Sequence, residues 1–157
     1  MNNSDPNRWL KSIVTSIVML AMINSANAAN VHFKSEPVFE DLGLTLETCV
    51  SLAGLGNKDI TITVAVTGEA TVIYHNPGGN DPPGQNKIPI AAVVTETIPS
   101  TQIKNGNVTA CLETPAIEVA PAPNPNWTVE IVDVSFATAT ITVVQKGKVV
   151  LNATFDL

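Results

Sequence analysis

The sequence predicts an all-β fold, an antiparallel two-sheet sandwich of about seven or eight strands with Greek-key connections, following a cleaved signal peptide. Three observations lead there. Apolar and polar residues alternate with period two through much of the chain, the pattern of half-buried strands. Thr, Val and Ile dominate those stretches, which suits strands and lowers helix propensity. Clusters of Gly, Pro and Asn punctuate them as turns. A small closed barrel has the same periodicity and is the competing arrangement.

The chain has 157 residues, enough for one ordinary domain. It is 45% apolar and only 14% charged, which excludes a disordered polymer. The first 28 residues stand apart. Met1 to Lys11 is polar and carries Arg8 and Lys11, and an apolar run from Ser12 to Ile23 follows. That run is shorter than the ~20 residues a bilayer span requires. Ala26-Asn27-Ala28 then has the small-x-small form of a signal-peptidase site. The expectation is cleavage after Ala28, export to the periplasm or beyond, and one domain over residues 29–157 with no membrane span. Removing Arg8, Lys11 and Asp5 with the leader leaves six basic and thirteen acidic residues, a net charge of −7. Such an acidic surface offers no basic stripe to a nucleic-acid backbone.

The strands read as follows. Leu42, Leu44, Leu46, Val50 and Leu52 form one apolar face, after a weaker strand from Val31 to Phe39. The clearest segment runs from Ile60 to Tyr74, with Ile60, Ile62, Val64, Val66, Ala70, Val72 and Tyr74 on the core side. Its polar side carries Thr61, Thr63, Thr67, Glu69 and Thr71, and Gly68 predicts a bulge or bend. Further strands cover Ile90 to Ile98, Val108 to Leu112 and Trp127 to Val134. Ala137, Ala139, Ile141 and Val143 then form an apolar face, as do Val149, Leu151, Ala153 and Phe155, with Lys146-Gly147 as the hairpin turn between them. A short helical turn is expected at Ser100 to Lys104, capped by Ser100 and ended by Gly106.

Cys49 and Cys111, exported together, are expected to form a disulfide. Each alternates with polar neighbours: Glu47 and Ser51 flank Cys49, while Thr109 and Glu113 flank Cys111. An immunoglobulin-like domain of the antibody type carries its bond between the sheets, on apolar faces. The parity here places it on an outer face, joining adjacent strands of one sheet.

No nucleophile elbow, zinc-protease helix, phosphate-binding loop or EF-hand spacing is present. Two His residues, His32 and His75, leave few metal sets, and no catalytic residue, metal or cofactor is expected. The loop NPGGNDPPGQN has a single carboxylate, which fits a turn better than a Ca²⁺ clasp. Its residues and those at its ends make the candidate binding loop: Tyr74, His75, Asn76, Asn80, Asp81, Gln85 and Asn86. Trp127, after the Pro-rich stretch Ala120 to Asn126, packs in the core by default and is the candidate aromatic contact if it is exposed.

The run Ser51 to Asp59 followed by ITITVAVTGEATV, together with NPGGNDPPGQN, IKNGNVTACLET and PNPNWTVEIVDVSF, resembles a group of small secreted bacterial proteins of all-β type with no assigned function. The resemblance covers Leu44 to the end and implies the fold and export, with no active site. Members of that group often carry a Cys just before NPGGN, where this chain has Tyr74-His75. The resemblance therefore does not name the partner of Cys111. The resulting expectation is a non-enzymatic exported protein that binds, or structures, an unidentified extracellular ligand or protein. The alternatives are a small glycan-directed hydrolase using paired carboxylates, such as Glu40-Asp41 or Glu130 and Asp133, and a surface-assembly subunit.

Overall fold

A computed structural model describes residues 30–79 and 86–157. The expected signal peptide lies outside the described residues, as do Asn80, Asp81 and Gln85 of the loop. Eight strands follow in order: β1 (His32–Phe33), β2 (Val38–Asp41), β3 (Leu46–Ala53), β4 (Ile60–His75), β5 (Asn86–Ile98), β6 (Val108–Glu113), β7 (Thr128–Gln145) and β8 (Lys148–Asp156). They form two antiparallel sheets of four strands each. The larger sheet has the order β5-β4-β7-β8, and the smaller is built around β3.

In the smaller sheet, β6 takes one side of β3 while β1 and β2 share the other. This follows from register, since β1 pairs with Leu52 and Ala53, β2 with Leu46 to Cys49, and β6 with Glu47 to Leu52. The single strand expected from Val31 to Phe39 is therefore two short ones. The chain leaves the ladder after Lys34, whose N–H donates to the Ser51 carbonyl, and returns after Pro37, which has no N–H to give. The detour adds two residues relative to β3, so parity survives and Phe33 and Phe39 stay on one side. Both rings meet Phe155 of β8, each with centroids 5.6 Å away, and tie the two sheets together.

The core lies between the sheets, and β4 runs through its middle. Ile60, Ile62, Val64, Val66, Ala70 and Val72 are fully buried, as the alternation predicts. The inward set of β7 changes parity twice. Thr67 opposes Thr138 but Gly68 opposes Phe136, leaving Ala137 as an extra, exposed residue; a second shift leaves Val132 outside. Inward residues of β7 are thus Val143, Ile141 and Ala139, then Phe136 and Val134, then Ile131 and Val129. Gly68 earns its place here, because a Cβ on it would be driven into the Ser135 carbonyl oxygen.

Several expectations change for local reasons. Ala137 does not share the face of Ala139, because it is the bulged residue. The segments Trp127 to Val134 and Ala137 to Val143 are one continuous strand, since bulges bend a ladder without ending it. Val149 is 59% exposed, since another bulge puts Val144 opposite Val149 and turns Val150 toward the core instead. Leu42 and Leu44 lie outside β3, in the turn closed by the Leu42 N–H and Thr45 carbonyl, and both are exposed. The helical turn is a single 3-10 turn over Ser100–Gln102, and Pro99 rather than Ser100 is its N-terminal cap residue. Ser100 instead gives its N–H to Asp59 Oδ1 at 2.7 Å, which holds that carboxyl below its usual range. Gly106 belongs to a separate tight turn closed by Lys104 and Asn107. The Lys146-Gly147 turn is as expected, with φ of 54° and 72°, a two-residue turn matching the twist of β7 and β8.

Candidate functional site

The two sheets each present one face to solvent, and the site residues divide between them. On the smaller sheet, Cys49 and Cys111 oppose each other directly across β3 and β6 and are joined by a disulfide, with Cα atoms 4.0 Å apart. Cys49 is half-buried and Cys111 exposed, while Val50, Leu112 and Leu52 beside them point inward. The bond lies on the outer face, with the exposed Val38 of β2 opposite Cys49. One row along, Glu40, Glu47 and Glu113 stand side by side across three strands. Thr45 donates to Glu113 Oε1 at 2.7 Å, which engages one of the three carboxylates. Glu47 also approaches Cys49 Sγ, at 3.7 Å. Sulfurs bonded to each other carry neither a proton to donate nor a thiolate to ligate, so this corner supplies carboxylate chemistry alone.

The candidate loop begins at the far end of β4. Tyr74 is not a loop residue; it lies on the core parity of β4, half-buried against the core. His75 Nε2 lies 2.9 Å from Glu130 Oε2 of β7. Asn76 shapes the turn, since its Oδ1 accepts from the Gly78 N–H at 2.9 Å and its carbonyl accepts from the Gly79 N–H. Asn86 is the exposed first residue of β5, opposite Val72. Trp127 is half-buried at the exit of the Pro-rich stretch, where its N–H donates to the Asn124 carbonyl.

Neither carboxylate pair is set in a cleft. Glu40 and Asp41 are consecutive strand residues, so their side chains leave opposite faces of the sheet. Glu130 and Asp133 share the outer face of β7 across the Val132 bulge, both exposed, with Glu130 held by His75.

The outer face of the larger sheet holds an arrangement that strand-by-strand reading does not assemble. Register puts four rows of four side chains across β5, β4, β7 and β8. The first is Thr97, Thr61, Val144 and Val149, and the second Thr95, Thr63, Thr142 and Asn152. The third is Val93, Ala65, Thr140 and Thr154, and the fourth Ala91, Thr67, Thr138 and Asp156. The only charge in this grid is Asp156, at one corner. Hydroxyls pair along the rows: Thr63 with Thr95 at 3.0 Å, Thr67 with Thr138 at 2.7 Å, and Thr140 with Thr154 at 2.9 Å. Asn152 donates to Thr142 Oγ1 at 2.9 Å, and Thr61 meets Thr97 at 3.3 Å. Between β4 and its neighbours the register is unbroken from Ile60 to Thr67. The bulge at Ala137 lies just beyond and bounds the regular area, while the one at Val150 falls within the grid on β8, between the first and second rows. The signal in the sequence was Thr-x-Thr on three strands: Thr61 and Thr63, Thr95 and Thr97, and Thr138, Thr140 and Thr142.

No family model, curated protein or solved structure matches the chain. Among the described residues, no helix is long and apolar enough to cross a membrane. The disulfide is compatible with an oxidising compartment, periplasmic or extracellular.

Proposed function

We propose that this is an exported, non-enzymatic binding protein, and that the Thr grid on the outer face of the larger sheet is its binding surface. The observation that carries the reading is the near absence of charge from that grid in a chain of net charge −6. A face kept only for solubility collects Lys, Glu and Asp, as the Glu40-Glu47-Glu113 row does. A face of Thr, Val and Ala whose hydroxyls already hold one another is pre-organised, and little side-chain entropy is lost when it meets a ligand.

Assembly by strand addition has less support, because every sheet edge except the short β6 is blunted. β5 carries Pro89, and Glu96 on its inward parity; β1 and β2 are interrupted by Pro37; β8 is bulged at Val150. The test is retention of the purified chain on insoluble polysaccharides, on ice and on immobilised copies of itself, beside a Thr140→Lys variant. Retention by one of these surfaces that the variant loses supports the reading. Equal retention of both proteins on every surface overturns it, as does glycan turnover that vanishes in Glu130→Gln.

A further inference from the structure

Resting on that reading of the face, we propose that the ligand of the Thr grid is crystalline water, so that the protein adsorbs to ice. The argument is geometric and electrostatic. Strand neighbours are about 4.8 Å apart, and side chains on one face repeat about every 6.8 Å along a strand. The grid therefore offers hydroxyls and methyls on a two-dimensional net whose two periods are close to the two in-plane repeats of a prism face of hexagonal ice. Each Thr hydroxyl has one donor and two acceptor sites. A cross-strand hydroxyl pair spends one donor and one acceptor on itself, fixes both rotamers, and leaves the remaining sites for water. Methyls of Thr, Val93 and Ala65 lie between those sites and leave gaps that water fills by bonding to other water.

The same features argue against other occupants. An ion orients its own hydration shell and breaks a lattice, and this grid has one charge, at its edge. Sugars are gripped by aromatic faces, and no Phe, Tyr or Trp stands in the grid. Between its outermost Cα positions the grid measures about 14 by 20 Å from those same spacings. Its sixteen positions are fewer than the roughly 20–30 residues each partner contributes to a standard protein interface. Twist between neighbouring strands, about 20–25° each, confines the best match to the middle rows of β4 and β7, around Thr63, Thr142 and Thr140. Adsorption of modest strength follows, seen as inhibited recrystallisation more readily than as a lowered freezing point.

The experiment grows ice slowly through a dilute solution of the full chain as the cell exports it and measures the protein taken into the ice. Thr63→Lys, Thr140→Lys and Thr154→Lys are compared with Thr109→Lys, which alters the outer face of the smaller sheet, and thermal melts establish that each variant is folded. Incorporation of the parent and of Thr109→Lys, with its loss in the folded grid variants, is the expected result. Exclusion of the parent from ice overturns the inference, and so does incorporation that grid lysines leave unchanged. If the parent is excluded from ice yet retained on a polysaccharide or on its own copies in a Thr140-dependent way, ice falls while the binding face stands. If nothing retains it, both fall.

Discussion

The outer faces of the two sheets start from the same sequence rule and end as different surfaces. Each is the polar parity of strands whose other parity fills the core. On the smaller sheet that parity holds Glu40, Glu47 and Glu113 in one row and the Cys49–Cys111 bond in the next. On the larger sheet it holds the Thr grid, with mutually bonded hydroxyls and a single corner charge, and beyond the Ala137 bulge the charged Glu69, Lys87, Asp133 and Glu130. One face carries the covalent staple and a row of like charges; the other carries cross-strand hydroxyl pairs and, in the grid, almost no charge. Polar alternation thus says which side is wet and leaves open what the wet side does.

The difference can be broken first at the disulfide. A Cys49→Ser, Cys111→Ser double variant is expected to lose about 2–4 kcal/mol in chemical denaturation, because the bond closes a long loop in the unfolded chain. The bond's place on an outer face predicts that reductant reaches it without denaturant, and that the reduced protein keeps its far-ultraviolet dichroism. A reduced protein with no β signal would make the bond part of the core. Next comes Gly68→Ala, at the bulge that bounds the Thr grid. The added methyl collides with the Ser135 carbonyl, and a loss of about 2–3 kcal/mol is expected in the same denaturation assay.

Smaller effects sharpen the contrast. Glu47 stands between two like charges, which disfavour one another when directly opposed. Glu47→Gln should therefore raise stability by about 0.2–1 kcal/mol at low salt, and the gain should shrink as salt screens the row. Thermal melts at two ionic strengths check both signs. The smallest effect belongs to the grid. Thr140→Lys should cost no more than about 0.5 kcal/mol, since it gives up one cross-strand hydroxyl pair at a half-buried position of the outer face. A much larger loss would give the Thr rows a structural role and weaken the case for binding.

Much of this was legible in the sequence, and the parts that were not share a cause. Period two located the strand from Ile60 to Tyr74, one residue short of its observed end at His75, with its core residues, and parity alone placed Cys49 and Cys111 on an outer face. What failed was the assumption that parity persists along a strand. Parity puts Ala137 and Val149 inward with their neighbours two positions on, and bulges reverse that rule without a residue to announce it. Gly68 was the exception, since a missing side chain marks where backbones approach. The Thr grid was hidden for a different reason. Each strand displays its threonines, but which of them become neighbours depends on register and strand order, which turns and core packing set over the whole domain.

The central claim is that the Thr grid on the outer face of the larger sheet is a regular recognition surface with one charge at its corner, and its hydration is the most direct measure of that. A crystal structure at atomic resolution is predicted to show waters bound in rows at the Thr63, Thr142 and Thr140 hydroxyls, repeating along the strands with the ~6.8 Å side-chain period. Waters scattered over that face with no such repeat, as expected above the Glu40-Glu47-Glu113 row, would contradict it.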